Sequence, residues 1–185
     1  MHKWLNVLTL LAVIAMFGFS FAMLQRAIGA DSPWLAFLLM FYFLGVAKFA
    51  EPLVTLRVPR ALRELRPWEV KRNAYRWLEV PAFGELLRRT PLRYLNSAVY
   101  LNRSRIDLVD VRRRAQFAEA CHFWAAVLVM PYIGYKLCKG EWIVAGWFLL
   151  AQVLVNVYPI LHLRIVRGRL DQLIAMSHRT RVPAM

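Results

Sequence analysis

Residues 5–24 read LNVLTLLAVIAMFGFSFAML, twenty positions without a charge. A helix needs about 20 apolar residues to cross the hydrocarbon core of a bilayer, so this run alone constrains the fold more than any other feature. The pattern returns three times. Residues 33–47 (PWLAFLLMFYFLGVA) are uncharged, Glu119 is the one charged residue between Arg114 and Lys136, and residues 142–163 (WIVAGWFLLAQVLVNVYPILHL) carry no formal charge. The sequence predicts an all-α integral membrane protein, a four-helix bundle in one membrane domain with spans at 5–24, 33–56, 117–138 and 142–163. The second span reaches full length only by running through Lys48 and Glu51. The first is expected to be a retained anchor, because it exceeds the roughly 7–15 residues of a signal-peptide core and no small-x-small site follows.

The same chain is strongly basic, with 25 Lys+Arg against 11 Asp+Glu and a net charge of +14, although 59% of its residues are hydrophobic. That hydrophobicity excludes a disordered tail and argues against a soluble nucleic-acid binder. Two cysteines do not make a disulfide scaffold. Cys121 and Cys138 fall at opposite ends of one expected helix, roughly 25 Å apart at 1.5 Å per residue, and cannot bridge. Grease and charge are segregated along the chain. Residues 57–114 hold fourteen Arg and one Lys against six acids, and the stretch from residue 164 onward holds five Arg against one Asp. Four crossings place the N-terminus, residues 57–116 and residues 164–185 on one side, and these are the basic segments. The positive-inside rule then assigns that side, with both termini, to the cytoplasm of an inner membrane. The charge is thus topological, directed at anionic headgroups of the lipid bilayer.

Residues 57–116 are too long for a simple connection. Val58, Leu62, Leu65 and Trp68 fall at helical spacing with Arg60, Arg63, Glu64 and Arg66 between them, which predicts an interfacial amphipathic helix ended or kinked at Pro67. Phe83 to Leu87, with Tyr94, Leu95, Val99 and Tyr100, forms a second, less regular stretch. Val166, Leu170, Leu173 and Ile174 against Arg167, Arg169 and Asp171 form a third.

Ionisable and polar groups inside apolar spans are costly, and each is a functional candidate. Lys48 and Glu51 share a helix face and read as an interfacial ion pair. Glu119 and His122 form E-x-x-H, also on one face. The carboxylate can orient the imidazole as a general base, both can ligate a metal, or the two can be a packed polar pair; a second E-x-x-H is absent. Asn156 and Pro159 lie in the last span, where proline frees a backbone carbonyl and Asn156 can meet it or face the bundle interior. His162 and Arg164 stand at its exit, so Glu119, His122, His162 and Arg164 converge on the cytoplasmic interface. Arg164, Arg167 and Arg169 suit a phosphate-bearing ligand, such as a coenzyme-A thioester or a lipid headgroup, or simply stop transfer. No G-x-S-x-G, H-E-x-x-H, P-loop or dinucleotide fingerprint is present.

Three blocks in fixed order carry a resemblance. Trp68, Glu69, Tyr75, Leu78, Val80 and Phe83 form the first; Arg114, Glu119, His122 and Trp124 the second; Asn156, Pro159, Arg164, Arg167, Arg169 and Leu170 the third. In these the sequence resembles the small integral-membrane acyltransferases typified by glycosyl-diaponeurosporenoate acyltransferase. The resemblance implies transfer of a fatty acyl chain from a thioester donor to a hydroxyl of a lipid-like, glycosylated acceptor. No cofactor is expected to stay bound; acyl-CoA or an acyl-carrier thioester is the co-substrate. His122 and Glu119 would be catalytic, with Glu119 orienting His122. Asn156 or a freed backbone group would stabilise the oxyanion, Arg164 would hold the donor's phosphates, and Trp68, Glu69, Tyr75 and His162 would line the substrate. Two other classes stay open. One is another membrane-embedded lipid enzyme of the isoprenylcysteine-methyltransferase type, which expects an acidic pair where only Asp171 is available. The other is a non-catalytic assembly subunit.

Overall fold

The computed structural model describes residues 2–50, 56–69, 75–90 and 107–181. Among them seven α-helices occur and no strand: α1 (His2–Ile28), α2 (Pro33–Ala50), α3 (Arg60–Arg63), α4 (Val80–Arg89), α5 (Leu108–Cys138), α6 (Trp142–Gln152) and α7 (Tyr158–Arg181). A 3-10 turn, Arg76–Leu78, leads into α4, and a π turn, Val153–Val157, joins α6 to α7.

Three helical stretches are long and apolar enough to cross a membrane: Trp4–Ile28, Leu108–Cys138 and Trp142–Ser177. The expected second span corresponds to α2, whose described apolar part is the shorter Pro33–Ala47. Its continuation toward Leu56, and the Lys48–Glu51 pair, lie outside the described residues and side chains. The last apolar helix runs on past Leu163, for a total of 36 residues.

The chain divides into two compact units. One comprises residues Met1–Leu56 and Cys121–Val157. Its core gathers Ala36 and Met40 of α2, Val129 and Ile133 of α5, and Ala145, Phe148 and Ala151 of α6, all essentially buried. α1 leans on α2 through Phe17 and Phe21, whose rings meet Tyr42 edge-on at 5.5 and 5.7 Å. The outward side of α1 leaves Trp4, Leu8, Leu11 and Phe19 bare, as lipid-facing side chains must be. Lys136, at the far end of α5, pairs with Glu141 in the following turn and reaches Asp31 at 3.7 Å.

The other unit comprises Arg57–Ala120 and Tyr158–Met185. Here Tyr75, Val80 and Ile165 form one buried cluster and Ala115 with Leu163 another. α4 has apolar residues on one side and Glu85, Arg88 and Arg89 on the other, with the two arginines holding Glu85. It realises the expected Phe83–Leu87 stretch; Tyr94, Leu95, Val99 and Tyr100 lie outside the described residues.

The amphipathic helix expected from Val58 to Trp68 shrinks to the single turn α3. The reason is competition for its carbonyls. Arg164 takes those of Leu62 and Glu64, at 2.5 and 3.1 Å, and Arg167 takes that of Arg63 at 2.7 Å. Three consecutive carbonyls are then lost to a continuing ladder, and Pro67 biases the residue before it to extended backbone. Glu64 is extended (φ −74°, ψ 132°).

Where α4 crosses α7 the spacing is set by Gly84. A Cβ there would stand 2.5 Å from His162 Cε1 and 2.6 Å from Nδ1. Gly84→Ala should therefore displace the His162 ring and loosen the α4–α7 contact at a cost of about 1–3 kcal/mol. The check is a lowered melting temperature of the purified protein in detergent, with Gly18→Ala, where nothing lies within 4 Å, as the control expected to be unchanged.

Candidate active site

Two buried polar constellations stand out, one in each unit. The first begins with Arg164 on α7. Its guanidinium has five N–H donors, and all five are used. Nε and Nη2 grip the two carboxylate oxygens of Glu69 at 2.6 and 2.8 Å. Nη1 reaches Glu119 Oε1 at 2.9 Å, and the remaining two donate to the Leu62 and Glu64 carbonyls. Arg167, one turn on, donates through Nη1 to the other oxygen of Glu119. Two buried carboxylates are thus matched by two arginines, which is how charge survives out of water. Arg167 Nε is left buried without a hydrogen-bond partner among the described side chains, while Arg112 Nε lies 2.5 Å from Asp171 Oδ1.

Glu69 also accepts from the Arg66 backbone N–H at 2.6 Å and from the Tyr75 hydroxyl. Burial alone would raise its carboxyl, but the hydrogen bonds from Arg164, Tyr75 and Arg66 win and bring it down to about 2. Burial, and then the adjacent Glu69 carboxylate, push the Tyr75 hydroxyl up to about 12, so it stays a donor. Trp68 lies against the Tyr75 ring at 5.0 Å. Tyr75 and Glu79 hold left-handed backbone (φ 57° and 54°) on either side of the 3-10 turn, a strained arrangement for residues with a Cβ.

The second constellation is built on the π turn. Pro159 has no N–H for the carbonyl four residues earlier, that of Val155, and its ring crowds that carbonyl. The helix responds by widening to the π turn Val153–Val157 directly ahead. His122, buried on α5, hydrogen-bonds the Val155 backbone and sets Nδ1 3.4 Å from Asn156 Oδ1. Asn156 is fully buried. Its amide donates to Gln152 Oε1 at 2.5 Å and lies 3.3 Å from Met40 Sδ. Gln152 in turn donates to the Ala126 carbonyl of α5 at 2.8 Å. The result is a relay, Ala126–Gln152–Asn156–His122, crossing twice between α5 and the last span.

These placements revise several expected roles. Glu119 does not orient His122, since both its oxygens are committed to Arg164 and Arg167; Asn156 does. Asn156 turns its oxygen, not an N–H, to the imidazole, and its amide hydrogens are spent on Gln152 and Met40, so an oxyanion role does not fit. Arg164 has no donor left for a phosphate. Arg167 is buried and mostly committed, whereas Arg169 is exposed. His162 packs on Gly84 with the Phe83 ring at 6.4 Å. Glu69 and Tyr75 lie in the first constellation with Trp68 beside them. Gln152 was missed from sequence, although a glutamine four residues before Asn156 in an apolar span was the available signal. Among the described residues no group of three or more His, Cys, Asp or Glu gathers as a metal would need.

The model of the glycosyl-4,4'-diaponeurosporenoate acyltransferase family matches residues 59–176, which contain both constellations. The chain belongs to this family. It is a membrane protein and an acyltransferase of carotenoid biosynthesis. No curated protein and no solved structure matches it. The matched region leaves out α1 and α2.

The first constellation should behave as a structural clamp. Glu119→Gln leaves a buried arginine without its counter-charge and should cost about 3–5 kcal/mol, read as loss of folded protein after detergent extraction. Glu69, depressed in the folded state, contributes stability that is complete above pH ~4.5 and lost as pH falls toward ~2. Thermal melts of the wild type should therefore decline below pH ~4.5, and Glu69→Gln should lower the melting temperature at pH 7 while removing this carboxylate's share of the acid dependence.

Proposed function

We propose that the protein moves a fatty acyl group from a thioester donor to a hydroxyl of a glycosylated polyene acceptor, with His122 as general base. The supporting observation is the imidazole itself: buried in a membrane span, held by Asn156 Oδ1 and the Val155 backbone, and carrying no counter-charge. The amide chain supports one arrangement of the ring. Gln152 donates to the Ala126 carbonyl, so its oxygen faces Asn156; Asn156 donates to that oxygen, so its own oxygen faces Nδ1. We place the single N–H of a neutral ring on Nδ1, shared by Asn156 Oδ1 and the Val155 carbonyl, and the lone pair on Nε2.

Nε2 takes the proton of the acceptor hydroxyl as its oxygen attacks the thioester carbonyl. The C–O bond forms, the tetrahedral intermediate collapses, the C–S bond breaks, and the imidazolium returns the proton to the leaving thiolate. Desolvation by the surrounding helices favours transfer over hydrolysis. The exposed Arg169, not the saturated Arg164, is the arginine of the third block that suits a phosphate on the donor. Donor and acceptor meet at the cytoplasmic face of the inner membrane, and both termini lie there, as the arginine-rich 57–116 and 164–185 segments support.

His122→Ala should reduce acyl transfer by about 10²–10⁴ while the protein still accumulates in membranes. Lipid profiling of cells carrying the variant should show the unacylated glycoside building up; a wild-type profile refutes the assignment. Orientation has its own test. Cys138 is exposed at the end of α5 and Cys121 is buried. A membrane-impermeant maleimide should label Cys138 from outside intact cells; labelling seen only after lysis reverses the topology.

A further inference from the structure

Beside the relay, in the same unit, lies a cavity of about 220 Å³. α1 contributes Phe21 and Gln25, α2 Leu35, Leu39 and Phe43, α5 Leu128, Val129 and Tyr132, and α6 Phe148. The wall is hydrocarbon and aromatic apart from the Gln25 amide and the Tyr132 hydroxyl. It is larger than the roughly 150 Å³ apolar cavity that binds a benzene ring in a soluble protein.

Its position matters more than its size. Val129 stands seven residues beyond His122 on α5, on the same face and about 10 Å along at 1.5 Å per residue. Phe148 stands four residues before Gln152 on α6, again on one face. On α2, Leu39 adjoins Met40, the residue whose sulfur meets Asn156. The three helices that carry or touch the relay, α2, α5 and α6, therefore also wall the cavity, with α1 as its fourth side. At the rim Gln25 and Leu128 are exposed, so it opens toward the lipid-facing surface rather than closing on itself.

We propose that this cavity takes the hydrocarbon tail of the acyl donor, so that a thioester carbonyl at His122 has its chain threaded between α1, α2, α5 and α6. This rests on the acyl-transfer reading above and adds to it the place that measures the chain. α1 and α2 lie outside the region shared with the family model, so chain preference is set largely by residues that this protein does not owe to the family pattern.

The test uses membranes carrying the full-length protein, glycosyl-4,4'-diaponeurosporenoate as acceptor, and palmitoyl or octanoyl thioester as donor. Leu39→Trp fills the cavity and should lower the palmitoyl-to-octanoyl rate ratio roughly tenfold, the loss of burying about two methylenes. Phe43→Ala enlarges it and should raise the ratio. Unchanged ratios in both variants, with His122→Ala inactive, overturn the cavity and leave acyl transfer standing; an active His122→Ala overturns acyl transfer itself. A wild-type arm guards against misfolded variants. A palmitoyl thioester with a terminal diazirine should label peptides containing Leu39, Phe43 or Leu128, and excess palmitoyl thioester should abolish the labelling. Labelling that ignores the competitor marks the occupant as a bulk lipid tail and overturns the proposal, as does labelling confined to other peptides.

Discussion

Pro159 has no N–H, so the Val155 carbonyl must find another partner or stay unpaired in hydrocarbon, where an unsatisfied backbone group costs several kcal/mol. The last span answers in two ways. It widens into the π turn Val153–Val157, and it brings the Val155 backbone against His122. The same turn presents Asn156 to the imidazole and lets Gln152 reach back to α5. One missing donor therefore accounts for the helix geometry and for the orientation of an amide relay that reaches the buried His122. A regular helix with an alanine at this position would satisfy the carbonyl internally and have no need of His122.

Charge in the other unit obeys a parallel constraint. Arg164 and Arg167 are too far from water to stand alone, and Glu69 and Glu119 neutralise them. The leftover guanidinium donors must also be met, and they take carbonyls from residues 62–64. That demand costs the chain a helix between Val58 and Trp68 and in return fixes the loop carrying Trp68 and Glu69. Two guanidiniums against two carboxylates hold these segments of the unit together. A residue with all its donors spent cannot also recognise a phosphate.

Much of this was legible in the sequence, and the boundary is instructive. The apolar runs and the arginine asymmetry are local signals, and they gave the membrane class and the helices. E-x-x-H, Asn156 and Pro159 were visible as polar residues where polar residues are expensive. Pairing was not visible. Spacing put Glu119 next to His122 on α5, but spacing is silent about Arg164, which lies 45 residues away in sequence from Glu119 and 95 from Glu69. A carboxylate given the choice between an imidazole and two guanidiniums takes the cations, because opposite charge adds an attraction that an uncharged ring does not offer. The amphipathic helix was misjudged for the same reason: periodicity describes which face is apolar, while distant arginines decided where the carbonyls went.

The division of labour that results has a chemical logic for acyl transfer. A general base works in a membrane only if it can stay neutral until the acceptor arrives, so carboxylates near it would be a hindrance by favouring the protonated ring. The amides Asn156 and Gln152 orient His122 without contributing charge. A thioester is also hydrolysed by any water the base can activate. On the proposed reading, burial of His122 among apolar helices would exclude that competitor and favour the acceptor hydroxyl as nucleophile. Neutral orientation and dryness are the same requirement seen from the base and from the thioester, and the π turn supplies the first while the apolar unit around it supplies the second.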